Sequence, residues 1–238
     1  MKLRTLTYDF KLLKGDPMLI LSMGVPLILW AIMQYLIPWI MELAMEQWDF
    51  DLSPYYTRAG TFFVMLIPMM MGMVYGFVLL DERDGGIITA ISVTPTGKKG
   101  YLLLRMGIPI TLSYAYVLLF VRLLHLSDFR SLIQLGLIAG VIASQSLILL
   151  LFLGAFADNK VMGLAISKGF GILLLGPLLD YILPSPFHWI GGYSPIFWAS
   201  RAFLTPDDFQ FWLFTGISIL FHTLLLWILF RKFRARSD

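Results

Sequence analysis

Apolar residues run in six blocks of about 20 or more, near 18–40, 59–80, 101–124, 132–156, 161–183 and 209–230, with few charges inside them. At roughly 1.5 Å of rise per residue, a block of that length crosses the hydrocarbon of a bilayer. The pattern therefore predicts six transmembrane helices. Ahead of the first block, Leu3, Leu6, Phe10 and Leu13 fall at helical spacing, with Lys2, Arg4, Lys11 and Lys14 on the remaining surface. This predicts an interfacial amphipathic helix over 1–16 that turns into the membrane at Asp16-Pro17. The stretch is too long and too regular for a signal peptide and precedes no small-residue cleavage site, so it is expected in the mature protein. Between the fifth and sixth blocks, 184–206 mixes Pro184, Pro186, Gly191, Gly192, Pro195 and Pro206 with Phe187, Trp189, Tyr193, Phe197 and Trp198. That is too apolar for a free loop and too broken for a span. It is expected to dip into the outer leaflet as short helices with its backbone satisfied by protein or water.

The longest polar interruption is 81–99, DERDGGIITAISVTPTGKK. Asp81, Glu82, Arg83 and Asp84 put four charges at the end of an apolar block, where a helix needs water or a protein partner. Gly85-Gly86 should break that helix. Ile87, Ile88, Ile91 and Val93, interleaved with Thr89, Ser92 and Thr94, then fit one or two helical turns with an apolar stripe, closed by Pro95. Two readings stand: a docking knob with exposed isoleucines, or an ordinary interhelical loop lying on lipid headgroups.

Composition agrees with the pattern: 58% of the 238 residues are hydrophobic and 14% charged, against about half and a quarter in soluble domains. Trp39, Trp48, Tyr55, Tyr56, Trp189, Trp198 and Trp212 sit near block ends, as an interfacial belt requires. Six spans put both termini on one side. With that side cytoplasmic, the inner segments hold Lys2, Arg4, Lys11, Lys14, Arg83, Lys98, Lys99, Arg105, Lys160, Lys168 and the basic tail 231–236. The outer side keeps Arg58, Arg122, Arg130 and Arg201 against more numerous acids. The positive-inside rule thus predicts a multi-pass protein of a bacterial cytoplasmic membrane with both termini inside. The basic tail reads as a topogenic anchor, with no nucleic-acid partner implied.

No cysteine is present, which excludes disulfides and thiolate metal sites. His125, His188 and His222 stand on different segments, and neither a His-Glu-x-x-His nor a Gly-x-Ser-x-Gly motif occurs, so no catalytic or metal residues are expected. There is no Gly-x-x-x-x-Gly-Lys-Ser/Thr loop to bind ATP. Gly72 with Gly76, and Gly136 with Gly140, permit close helix approach, within one subunit or across a dimer. Pro68 beside Met65, Met69, Met70, Met71 and Met73 suggests a kinked span with a soft face, which suits lipid, core or varied hydrophobic cargo. On that basis Phe62, Met65, Met69, Met73 and Gln145 are the candidate substrate-pathway residues, Gln145 lying in a polar cluster with Ser144 and Ser146.

The run from Glu82-Arg83 through Gly86 to Thr94-Pro95, ahead of a basic pair, resembles the cytoplasmic loop of permease subunits of ABC type-2 transporters, E-R-x-x-G-T-x-x-x-x-x-x-T-P. Asp16-Pro17 with Pro26 is similar to that family's elbow helix and its R-D-P signature. Tyr193-Ser194-Pro195 with Arg201 resembles the Asn-Pro stretch before its last span. Gly15, Ile87 and Ser194 depart from the usual arginine, threonine and asparagine. The resemblance implies a single permease domain over 1–238, with Phe10, Asp16 and Pro17 in the elbow helix. Glu82, Arg83, Gly86, Ile87, Ile88, Ile91, Thr94 and Pro95 would form the coupling loop, and 86–93 the coupling helix seated on a separate ABC ATPase subunit.

By the same resemblance, ATP and Mg would reside on that partner, with no cofactor in this chain, and a second permease copy, identical or different, would complete the pathway. The expected function is export of a hydrophobic or amphipathic drug, antimicrobial peptide or lipid. The rival class is a carrier or assembly factor in the membrane that needs no ATPase. Carriers, however, usually place ionisable groups near the midplane, and here charges crowd at span ends.

Overall fold

The computed structural model describes residues 17–93, 97–126 and 131–237. The elbow residues Phe10 and Asp16, and Thr94 and Pro95 of the loop motif, lie outside that set. Within it, helix follows helix: α1 (Pro17–Ala31), a π turn (Ile32–Leu36), α2 (Ile37–Trp48), α3 (Ser53–Asp84), α4 (Ile87–Ser92), α5 (Gly97–Leu123) and α6 (Leu132–Phe156). Then come α7 (Lys160–Ser167), a 3-10 turn (Lys168–Gly171), α8 (Ile172–Ile182), a second 3-10 turn (Phe187–Tyr193), α9 (Pro195–Leu204) and α10 (Asp208–Ser237).

Six stretches are long and apolar enough to cross a membrane: Gly24–Trp48, Ser53–Asp84, Gly100–Leu123, Leu132–Phe156, Lys160–Ile182 and Asp208–Arg236. The chain is an all-helical, multi-pass membrane protein, as the six blocks predict. Three helices run well beyond their predicted limits, α10 among them, which continues to Ser237. The first span continues to Trp48 because Met41-Glu42-Leu43-Ala44-Met45-Glu46 are strong helix formers, and it stops where Asp49 turns left-handed (φ 50°) and its N–H returns to the carbonyls of Ala44 and Met45. Beside it, Asp51 accepts hydrogen bonds from the Ser53 side chain and backbone, which hold its carboxyl below the usual range. α3 starts at Ser53 with Pro54 in its first turn and is continuous through Pro68 to Asp84.

α3 and α6 form the centre. In α3's apolar stretch 78% of the residues are buried and in α6's 61%, against 11% in the first span and 17% in α5. Contact between the two central helices depends on small residues: a Cβ on Gly72 would fall 2.9 Å from Ser146 Cα and 3.0 Å from Leu149 Cβ. The Gly72/Gly76 pair is thus spent inside the subunit, and Gly136 and Gly140 meet Tyr114 of α5. Around this pair stand α1, α5 and α10, with Val64, Ile67, Leu80, Phe120, Ile138, Ile142, Leu150 and Leu153 almost fully buried between them.

The segment before α10 folds back along α8 as a hairpin. Tyr193 Oη donates to the carbonyl of Ile172, Ser194 Oγ donates to that of Leu173 at 2.6 Å, and Arg201 pairs with Asp180, each at a sequence separation of 21. A constant separation means that α9 runs parallel to α8, so the intervening chain has returned to α8's first turn. α10 supplies an independent ruler, because Ser218 Oγ donates to the Pro195 carbonyl at 3.3 Å. At 1.5 Å per residue, Leu173 lies about 14 Å from the C-terminal end of α8 and Ser218 about 15 Å from the N-terminal end of α10. Ser194 caps α9, accepting from Ile196 N at 3.2 Å, with Pro195 in the first helical position.

Candidate coupling site

The polar end of α3 is where the chain's charges converge. Successive helical residues point about 100° apart, and Asp81, Glu82 and Arg83 use that divergence to reach three different helices. Asp81 pairs with Lys160 at the start of α7, 2.5 Å away. Glu82 turns to α5, accepting hydrogen bonds from Tyr101 Oη and from Arg105 Nε (2.7 Å) and pairing with the same guanidinium. Arg83 turns to α6 and donates to the carbonyls of Gly154 (3.3 Å), Ala157 (2.5 Å) and Asp158 (2.7 Å).

Those carbonyls belong to the C-terminal end of α6, where they lack intrahelical donors and carry the negative end of the helix dipole. A guanidinium, with five N–H donors in a planar fork, suits such an end. A second one arrives from the opposite side. Arg236, near the end of α10, donates to Ala155 O at 3.0 Å and pairs with Asp158. The ends of α3, α5, α6, α7 and α10 are therefore joined by one charged network. Asn159 separates α6 from α7 by accepting from Met162 N at 2.9 Å.

From this network hangs α4. Gly85 stays near helical geometry, and Gly86 (φ +69°) makes the left-handed turn that starts the short helix. The expected break and the expected turn of helix are both present. The apolar stripe, however, divides: Ile88 and Ile91 pack inward against the core, while Ile87 and Val93 are exposed. The expectation of outward isoleucines is corrected at positions 88 and 91. They lie on the face turned towards α3 and α5, the two helices α4 packs against.

Of the loop residues named from sequence, Glu82, Arg83, Gly86, Ile87, Ile88 and Ile91 meet here, and Pro17 opens α1 on its own. Sequence reasoning missed Tyr101, Arg105, Asp158, Lys160 and Arg236 as members. Their signal was the polar Asp158-Asn159-Lys160 between two spans and a basic tail long enough to reach it. The residues named for a substrate pathway do not join this site. Met65, Met69 and Gln145 are buried in the core, Gln145 Nε2 lies 3.6 Å from Met65 Sδ, and Phe62 and Met73 are half-buried.

Residues 9–230 match the model of a family described as Rv2686c-like, "Fluoroquinolones export permease protein Rv2686c-like". Two relatives, the fluoroquinolones export permease proteins MT2760 and Rv2686c of Mycobacterium tuberculosis strains CDC 1551 and H37Rv, are each 31% identical over 227 residues, 93% of this chain and 89% of theirs. No solved structure matches the chain. With the match running from before the first span to the last turns of α10, the chain belongs to the Rv2686c-like family of export permeases.

Proposed function

We propose that this chain is the membrane-spanning subunit of an ATP-driven exporter, that α4 is its coupling helix, and that its cargo is an amphipathic aromatic drug of the kind named for its relatives. The observation that carries this reading is the junction of α3 and α4: a short helix with Ile87 and Val93 outward, hung by Gly86 from a helix end bound to α5, α6, α7 and, through Asp158, α10. A partner pressing on α4 would move five helix ends together, a two-state shift biased from outside the membrane. ATP and Mg belong to the partner ATPase, since this chain has no phosphate-binding loop of its own. Both termini and α4 face the cytoplasm, consistent with the arginines and lysines on that side. The sparsely buried faces of the first span and α5 suit lipid and a second permease copy.

The test is purification of the tagged chain in mild detergent from its host, followed by mass spectrometry of stoichiometric partners. A co-purifying protein with a Walker A loop is expected. Ile87→Asp with Val93→Asp should release it while the permease stays monodisperse. Retention of the ATPase by that variant would overturn the docking assignment, and absence of any ATPase from the intact preparation would overturn the ATP-driven reading.

A further inference from the structure

At the opposite end of the molecule from α4, the hairpin and its neighbours border an open cleft of about 310 Å³, lined among others by Arg58 of α3, Asp180 and Tyr181 of α8, His188, Arg201 of α9 and Gln210 of α10. Its charges do not cancel internally. Asp180 is fully engaged by Arg201, with 3.1 and 3.2 Å from Nε and 2.5 Å from Nη2, and both side chains are largely buried. Tyr181 Oη is engaged by Ser200 Oγ at 2.5 Å. Asp207, at the adjoining turn, is committed to the backbone N–H of Gln210 at 2.7 Å. Arg58 is left with the Tyr55 ring, 5.9 Å away, and no carboxylate within ion-pair distance among the described residues.

Tyr181, His188 and Phe214 bring rings into the lining. Behind it, Trp189 and Phe197 pack on Arg201 at 4.1 and 5.1 Å from its guanidinium carbon, with Phe214 at 5.8 Å. A lining with two arginines, one aspartate and the rings of Tyr181, His188 and Phe214, in a volume near the lower end of small-molecule sites, suits a compact aromatic compound bearing one carboxylate. We propose that this cavity is a binding site for the carboxylate end of the exported drug, with Arg58 as the anion-binding residue and the Asp180–Arg201 pair as its fixed floor. The drug class rests on the export reading. The site itself is tested by equilibrium binding, without ATP or transport, so its failure is distinct from failure of the ATPase assignment.

The full chain in phosphatidylcholine nanodiscs is dialysed against ciprofloxacin and, separately, its methyl ester. The acid should bind about tenfold more tightly than the ester, as expected for one partly solvated arginine–carboxylate contact. Arg58→Gln, at an exposed position where folding is not at stake, should abolish that preference, and Arg58→Lys should keep part of it. Equal binding of acid and ester, binding of neither, or a preference that survives Arg58→Gln would overturn the proposal. A headgroup phosphate is the other source of the same anionic chemistry. Were it the occupant, Arg58→Gln would reduce co-purifying phosphatidylglycerol while acid and ester bound alike, which would also overturn the drug assignment.

Discussion

The two ends of the helical bundle hold their arginines in different ways. At the α4 end, Arg83 and Arg236 converge on the carbonyls that finish α6, and Glu82 and Asp81 spread outward to α5 and α7. At the hairpin end, one ion pair, Asp180–Arg201, joins α8 to α9, with aromatic rings packed around the guanidinium. The first arrangement shares its load among many contacts, several of them to backbone that no substitution can remove. The second concentrates it. Many parallel links make the first end stiff, and a single clasp leaves the second dependent on one pair.

The largest effect should come from that clasp. Arg201→Ala leaves the largely buried Asp180 without its counter-charge, and about 3 kcal/mol of stability should be lost, read as a fall in the thermal denaturation midpoint in detergent. Adding Asp180→Asn should restore part of it, and a double variant as weak as the single would show that ring packing outweighs the pair. Arg83→Ala should cost less, about 2 kcal/mol, because it orphans neutral carbonyls, those of the buried Gly154 and Ala157, rather than a carboxylate, and the exposed Asp158 carbonyl is left to water. Its transport defect should nevertheless be severe, since α3 would lose its link to α6. Full drug export by Arg83→Ala would break the comparison. The smallest effect belongs to Lys160→Ala, whose pair with Asp81 is exposed on both sides and is worth under about 1 kcal/mol. A drop in midpoint comparable to that of Arg83→Ala would mean that the network behaves as a cooperative unit.

Much of this architecture is legible in the chain. Hydrophobic blocks of bilayer length locate every span, because in lipid the backbone can satisfy itself only as helix. The Gly85-Gly86 break and the broken aromatic segment at 184–206 are likewise visible, since each depends on local backbone chemistry. What periodicity does not convey is the direction of a face. An apolar stripe says that Ile87, Ile88 and Ile91 lie on a short helix, yet the same pattern serves a partner's groove or the chain's own core, and Ile88 and Ile91 face the core. Arg83 shows the same limit in another form. Its acceptors are 71 to 75 residues away and are main-chain atoms, so no side-chain pattern announces them. The cavity around Arg58 gathers residues from four helices and a turn, and Met65, Met69 and Met71 of α3 are buried where composition alone allowed lipid, core or cargo.

The π turn at Ile32–Leu36 divides the first span into halves with different surroundings. Before it, α1 lays one face against α3, with Leu29 and Trp30 packed on the core and Ile20, Leu27 and Ile28 exposed, and the turn itself buries Met33. Above it, Trp39, Ile40, Met45 and Trp48 are exposed. A π turn takes more residues per turn than an α-helix, so it resets the angular phase of everything that follows. One continuous hydrophobic block therefore lives under two kinds of selection. Its lower half must fit a particular neighbour, so its side-chain shapes should be slow to change. Its upper half has only to remain oily, so among descendants of this chain its residues should exchange freely with one another while the lower half stays fixed.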